Sequence, residues 1–446
     1  MTHHLQNFIC SPLGLVPKRE EGSLRLIHDL SFPQEDSVNS WTQIEFTSVS
    51  YQNIETVIDL VQDYGLNCLM SKADILEAFR LVPVHTSEYH LLGFKWQNLF
   101  YYDAALPMGA SSSCQLFECF STALQWILNR KFEIKGISHL LDDFFVGKAE
   151  TNECSIALNT FLALAEKLGV PIKDEKTQTP TTCITIYGIE IDSQSMIARL
   201  LQDNIEKVLG LLKILKVKRK VTLRELQSLL WLLNFACSVI VPGRAFLRRL
   251  FDLTLGHTCP HFKITLNSEA RADLKAWYEF ICNFNVKSCF LFKQWVSSES
   301  LKLYSDPAGV YGGFAAVFGN TWFSGEWLPE LKDLHITVKE LFPIVLSIEI
   351  WGKNLVNHKV LFMTDNQAVA DIINKTSSKD KNLMKLVRRL VLSAMKFNIH
   401  FRTKHIAGKT NVVCDLLSRF SFQEAHQIAP WLNLIPVTVP LHLLNL

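Results

Sequence analysis

Hydrophobic and polar positions along the chain fall into blocks whose period changes several times. Residues 1–70 alternate short strand-like runs with turns, among them Leu24–Ile27 ahead of Asp29. Between about 68 and 195 the pattern predicts three strands, Cys68–Asp74, Ser138–Val146 and Cys183–Ile191. Amphipathic helices are predicted between them near Ser112–Asn129 and Asn152–Leu168, which makes an α+β unit. Leu201, Ile205, Val208, Leu212 and Leu215 then recur at helical spacing, and further helices are predicted over Thr222–Ala236 and Glu269–Phe284. The most apolar stretch, Leu229–Val241, stops at Pro242; it is too short to cross a bilayer and reads as buried helix.

After residue 300 the period shortens again. Leu301–Asp306, Gly312–Phe318 and Asn320–Glu326 read as three strands of a meander. A helix (about 338–352), a strand (Lys359–Thr364), helices within 366–396, a strand (Asn398–His405) and a helix (411–419) follow, an α/β order βββαβαβα. Pro430, Pro436 and Pro440 suggest an irregular tail over 421–446.

With 446 residues, the chain is too long for one core and suggests two to four domains. Hydrophobic residues at 48% and charged residues at 20% describe a globular protein. The net charge of +2 says little as a sum, but basic residues cluster at Lys213, Lys216, Lys218, Arg219, Lys220 and Arg224, where phosphate binding with counterion release is expected. Eleven cysteines without a CxxC pair argue against structural zinc and suit a reducing compartment. The N-terminus lacks a signal-peptide pattern, so a cytoplasmic or nuclear location without membrane contact is expected.

Two groups of acids carry the chemistry. Asp74 ends a strand, and Asp142 and Asp143 sit within the hydrophobic run Leu140–Val146. An adjacent carboxylate pair there is costly if buried without partners. Magnesium, a hard cation bound through carboxylates and phosphates, is the natural compensation. Taken singly, Asp74 reads as an ordinary turn aspartate. The second group stands at element ends: Asp306 on the first meander strand, Glu340 opening a helix, Asp365 after Val360–Thr364, and Asp415 opening the last helix. Alone, Thr337–Glu340 is a capping box and Asp365-Asn366 a helix start.

In combination these residues resemble known motifs. Asp74-Ile75-Leu76-Glu77-Ala78-Phe79-Arg80, Leu106-Pro107-Met108-Gly109, Leu141-Asp142-Asp143-Phe144 and Leu168-Gly169-Val170-Pro171 with Lys176 follow the order and spacing of reverse transcriptase motifs A to D. Tyr187-Gly188-Ile189 is similar to the next motif, and Ser11–Lys18 with Leu24–Ser31 to the fingers. The resemblance covers roughly 10–195 and implies Asp74, Asp142 and Asp143 as metal ligands. It implies Lys18 and Arg25 on the incoming triphosphate, Phe79 as the gate under the sugar, and Pro107 and Gly109 beside the substrate. Lys176 would protonate the departing pyrophosphate.

Residues 299–420 resemble ribonuclease H through Tyr304-Ser305-Asp306, Lys339-Glu340-Leu341, Thr364-Asp365-Asn366 and His405-Ile406-Ala407-Gly408 to Asp415–Arg419. That resemblance implies Asp306, Glu340, Asp365 and Asp415 as metal ligands and His405 in substrate or product handling. Val241-Pro242-Gly243-Arg244 through Leu250 resembles the connection of DIRS-like, tyrosine-recombinase retrotransposons, with gypsy-type and pararetroviral groups as alternatives. Departures from the patterns are Leu140 for the usual tyrosine, Met108 for a frequent glutamine, Pro307 after the first ribonuclease H aspartate, and Pro343 early in the Glu340 helix.

The resemblances imply fingers (1–70), palm (71–195), thumb (196–240), a helical connection (241–298), ribonuclease H (299–420) and the tail. The expected protein is an RNA-directed DNA polymerase with ribonuclease H activity from a retrotransposon. Its cofactor would be Mg2+, two per active site, with Mn2+ as a substitute. Its partners would be an RNA template, a DNA primer, RNA/DNA hybrid and dNTPs, with no signal for oligomeric state. The alternatives are a degenerate copy that binds nucleic acid without catalysis, or a hybrid endonuclease with an inactive polymerase.

Overall fold

The computed structural model describes residues 8–17, 22–283, 294–297, 301, 303–307, 312–405 and 411–445. Lys18 lies outside them. The chain divides into two compact units between Met196 and Ile197.

In the first unit, β1 (Leu13–Pro17) and β2 (Leu24–His28) form an antiparallel hairpin. A short helix α1 (Val38–Trp41) and then α2 (Ile54–Tyr64) follow. Here the reading of residues 1–70 as strands and turns is corrected. Asn53 caps α2 by accepting from the Glu55 and Thr56 amides, and Ile54, Val57 and Val61 give it a buried stripe. β-Branched residues on that stripe imitate a strand when read locally.

β3 (Leu69–Asp74) follows, then a hairpin of β4 (Gly93–Trp96) and β5 (Leu99–Tyr102), and the long helix α3 (Ser113–Lys131). The predicted strand Ser138–Val146 is in fact two, β6 (Ile137–Leu140) and β7 (Asp143–Lys148), joined by a turn at Leu141-Asp142. Helix α4 (Thr151–Leu168) stops at Gly169 in the left-handed region, and β8 (Gln178–Thr181) completes a four-stranded sheet of order β6-β7-β3-β8. Phe117, Leu124 and Leu128 of α3 and Phe161 of α4 share one core with Phe144 and Val146 of the sheet. The predicted strand Cys183–Ile191 likewise folds as a hairpin, β9 (Cys183–Ile186) and β10 (Ile189–Asp192), turning at Tyr187 and Gly188 with φ of 51° and 78°.

The second unit begins with β11 (Ile197–Leu200), α5 (Gln202–Leu215), β12 (Lys220–Thr222) and α6 (Leu223–Ala236). A reciprocal capping box between Thr222 and Glu225 starts α6. Next come α7 (Arg248–Asp252), β13 (Lys263–Thr265), which pairs with β12, and α8 (Ser268–Asn283). The β12–β13 pair interrupts a region whose pattern reads as helical throughout.

Beyond it run β14 (Trp295–Ser297), β15 (Leu303–Pro307), β16 (Gly313–Phe318), β17 (Thr321–Glu326), α9 (Pro329–Lys332), α10 (Ile336–Trp351), β18 (Lys359–Thr364), α11 (Gln367–Lys375), α12 (Lys381–Lys396), β19 (His400–His405), α13 (Val412–Ser418) and α14 (Phe422–Ile428). β15, β16 and β17 form the expected meander, whereas β18 lies parallel between β14 and β19. α10 is apolar almost all round and is buried accordingly, passing through Pro343 without a break.

The tail is less irregular than its prolines suggest. α14 and a 3-10 turn at Leu441–Leu443 occupy it, and it is tied down by Asn433 N–H to Asn320 O (2.8 Å), Val437 N–H to Trp322 O (2.7 Å) and Arg389 to Leu443 O (2.7 Å). No described helix is long and apolar enough to cross a membrane.

Candidate active sites

Asp74, at the end of β3, lies opposite Asp143, the first residue of β7, in the antiparallel register. Asp142 occupies the turn just before it, and its carbonyl accepts from the Ile75 amide (3.0 Å). Three carboxyls thereby share one sheet end. Burial first, and then the Asp74 charge, raise the Asp142 carboxyl above its usual range. Burial together with Asp74 and Asp142 pushes Asp143 up to about 7. Lys176, from the 3-10 turn Asp174–Lys176, donates to Asp74 Oδ2 at 2.8 Å, and this hydrogen bond raises the pKa of the lysine.

All of these residues but Asp143 border a cleft of about 590 Å³. Arg25, Asp74, Phe79, Met108, Asp142 and Lys176 line it, as does Lys173, which sequence reasoning missed. Lys173 is placed there because its amide donates to Asp74 O (2.8 Å), and its charge opposes the rise at Asp142. A second lysine three positions before Lys176 was the available signal. Phe79 faces the cleft while its ring packs edge-on against Phe117 of the core, centroids 5.7 Å apart. Pro107 and Gly109 are not among the lining residues. Pro107 is buried and its carbonyl accepts from Ser113 Oγ (2.9 Å) at the start of α3, whereas Gly109 packs against the backbone of β2.

The second set of acids also gathers. Asp306 on β15 accepts from Ser418 Oγ of α13 at 3.1 Å, and Asp415 of α13 pairs with Arg419 at 2.8 Å. Burial, with Asp415 and Asp365 adding to it, lifts Asp306 to about 7; burial with Asp365 and Asp306 lifts Glu340 to about 8. Asp365 follows β18, and His405 at the end of β19 sits 3.0 Å from the Asp365 carbonyl through Nε2. Of the two local readings, the capping box is corrected and the helix start is narrowed to one residue. The N-cap of α10 is His335, which accepts from the Thr337 amide, so Glu340 lies a turn inside the helix and is free to face the acids. Asn366, not Asp365, caps α11 by accepting from the Val369 amide.

Among the described residues, no group of three or more His, Cys, Asp or Glu is drawn together tightly enough to cage a cation. The donor chemistry fits one nonetheless. Both sets offer carboxylate oxygens alone, the choice of hard divalent ions. Like charges spread or bind protons until a cation offsets them. The expected basic face of the 213–224 segment is partly spent internally, since Lys218 pairs with Glu225 (2.7 Å) and Lys216 sits 4.0 Å above the Tyr278 ring.

Comparison with known proteins agrees with the first unit. Residues 16–191 match the family described as reverse transcriptase (RNA-dependent DNA polymerase). The Transposon Tf2-3 polyprotein of Schizosaccharomyces pombe is 22% identical over 428 residues, covering 92% of this chain and 29% of that protein. Protein P of duck hepatitis B virus (strain China) is 28% identical over 279 residues, covering 61% of this chain and 33% of its own. The chain thus spans about a third or less of these relatives. Two structures of a foamy viral protease-reverse transcriptase with double-stranded DNA superpose with TM-scores of 0.52 and 0.50 at 17% identity, covering 89% of this chain and 65% and 78% of theirs. The fold is that of the fingers–palm–thumb reverse transcriptases, and residues 16–191 are similar to the reverse transcriptase domain.

Proposed function

We propose that this chain is an RNA-directed DNA polymerase that also degrades the RNA strand of RNA/DNA hybrids, encoded by a retrotransposon. One observation carries the reading: Asp74 and Asp142, at the sheet end they share with Asp143, border a cleft that Arg25 and Lys176 also line. In this reading 1–70 serve as fingers, 71–195 as palm with interleaved fingers segments, 196–240 as thumb, 241–298 as connection, and 299–420 as ribonuclease H. The resemblance of Val241–Leu250 to the DIRS-like connection is the ground for placing the element in that group.

Asp74 and Asp142, with Asp143 beside them, hold Mg2+ or Mn2+. The chemistry a divalent cation supplies there is activation of the attacking oxygen and neutralisation of the leaving one. Arg25 grips the triphosphate of the incoming dNTP, with a planar fork suited to phosphate. Phe79 closes the floor beneath the sugar, where a 2′-hydroxyl collides with its ring. Lys176, kept protonated by Asp74, stands ready to deliver a proton to pyrophosphate. In the second unit Asp306, Glu340, Asp365 and Asp415 hold the cations for RNA hydrolysis, and His405 lies beside Asp365 for product handling. Template and hybrid are held through backbone and shape, so sequence preference is weak. The reaction belongs in the cytoplasm or nucleus, where its nucleic acids are.

Primer extension on an RNA template with Mg2+ tests the polymerase reading. Extension by the wild type and at least about 1,000-fold less by Asp142→Asn are expected, the scale on which electrostatic stabilisation of a transition state is lost. Hybrid cleavage without extension would instead identify a nuclease with a silent polymerase. Nucleic-acid binding without either activity would identify a degenerate copy.

A further inference from the structure

The turn that presents Asp142 is held from behind by a polar cluster that the motif residues do not include. We infer that Glu118 of α3, paired with buried His139 of β6, clamps Leu141 and so fixes where Asp142 stands, making Glu118 a positioning residue for nucleotidyl transfer. The catalytic part of this inference rests on the polymerase reading above; the clamp itself does not.

Leu141 has φ of 52°, in the left-handed region where a side chain other than glycine's is strained. Such a conformation persists only when its surroundings over-determine it. Both of its backbone groups are taken by α3. Its N–H donates to Glu118 Oε2 at 3.0 Å, and its carbonyl accepts from Ser121 Oγ at 2.8 Å. Positions 118 and 121 are one helical turn apart and so share a face. On the other side the Asp142 carbonyl is tied to the Ile75 amide, beside Asp74. The residue that carries the Asp142 carboxyl is therefore held on both sides, by Ile75 directly and by α3 through Leu141.

Glu118 is 7% exposed and His139 1%, with Glu118 Oε1 at 3.2 Å from His139 Nε2. The proton arrangement follows from the backbone. The His139 amide can only donate, so Gln52 presents Oε1 to it (3.3 Å) and Nε2 to Gln125 Oε1 (2.8 Å). The Ile137 carbonyl can only accept, so Gln125 presents Nε2 to it (2.8 Å). Gln125 Oε1 is thus an acceptor, and His139 Nδ1 beside it must donate. In a neutral ring Nε2 then carries no hydrogen, yet it faces a carboxyl oxygen. Thr122 Oγ1 also lies 3.4 Å from Nε2, but the shorter contact is with Glu118, and one proton between Oε1 and Nε2 satisfies it, leaves the pair without net charge and keeps Oε2 free to accept from Leu141. Burial acts in the same sense, pushing His139 down to about 4 and Glu118 upward. Glutamine at 118 reproduces both contacts, with its amide N–H on Nε2 and its oxygen on Leu141. Methionine of similar length reproduces neither.

The test compares Glu118→Gln, Glu118→Met and Ser121→Ala in the full chain by two measurements. Amide hydrogen exchange at Leu141 is expected unchanged in Glu118→Gln and roughly tenfold faster in Glu118→Met, the factor for losing one hydrogen bond. Ser121→Ala removes only the carbonyl clamp, a milder change that covers the case in which Glu118→Met does not fold. It should lower kcat in the same direction by less. Single-nucleotide extension should keep its KM for dNTP throughout, while kcat falls on the order of 100-fold in Glu118→Met, as for a misplacement of about 1 Å. Glu118→Gln should stay close to wild type. Unchanged exchange and kcat in Glu118→Met overturn the inference, as does a Glu118→Gln that falls as far as Glu118→Met. If the wild type extends no primer, the polymerase reading fails, and exchange at Leu141 still decides whether Glu118 holds the turn.

Discussion

Gly109 takes φ of 136°, and a Cβ built there would stand 1.8 Å from the His28 carbonyl oxygen. Both the backbone angle and the contact with another backbone require glycine, because neither partner can swing aside. Gly109→Ala should therefore cost at least about 1–3 kcal/mol in a denaturant titration, the scale of a strained backbone angle. A loss below the scatter of the titration would remove this account of the residue. The sequence marks this glycine through its motif, but the neighbour that requires it is β2, more than seventy residues earlier in the chain. Glu340 went the other way. Its spacing from Thr337 imitates a cap, and only the His335 cap reveals that the carboxyl is spare for chemistry. Glu118 carried no signal at all, since its partners His139 and Leu141 meet it only after β6 folds back on α3.

Elements show the same dependence on distance. The acids of the first site were legible, but the strand holding two of them was read as one piece because Leu140–Val146 is apolar on both sides of the pair. A buried hairpin and a buried strand look alike when the turn is only Leu141-Asp142. Helix α2 was missed where β-branched residues hide a helical stripe. What joins the elements is also unreadable locally. Asp103, just after β5, accepts from His28 Nδ1 of β2 at 3.0 Å and pairs with Arg80, tying three segments together. Burial raises the Asp103 carboxyl, but hydrogen bonds from His28 and Arg80 outweigh it and leave it below its ordinary value of 3.8. A carboxyl with a lowered folded pKa stabilises the fold above its unfolded pKa, and that contribution drains away as pH falls through the folded one. Asp103→Asn should accordingly cost ~2 kcal/mol at pH 7. The gap from wild type should close below about pH 4. Urea titrations across that range test it, and a gap that persists into acid contradicts the assignment.

At the scale of the whole molecule the two acid sets lie in different compact units, Asp74, Asp142 and Asp143 before Met196 and the other four after it. Single substitutions in one unit should then leave the chemistry of the other intact. Glu340→Gln is the sharper case because it carries a stability signature besides activity. Burial and the neighbouring acids lift Glu340 from 4.5 to about 8. Without metal, the folded state holds that proton while the unfolded chain releases it, so wild-type stability falls as pH rises from about 4.5 towards 8. Glutamine cannot ionise, so the variant should fall less, and its advantage in melting temperature should widen across that window and level off above it. Divalent cations prefer the ionised acids and stabilise whichever fold binds them. Magnesium should therefore raise the wild type more than the variant and narrow the difference. Hybrid cleavage by Glu340→Gln should drop at least about 100-fold while primer extension stays at the wild-type rate. Equal melting curves for the two proteins in chelator from pH 5 to 8 would remove the buried acid from this account, and cleavage at the wild-type rate would remove it from the chemistry.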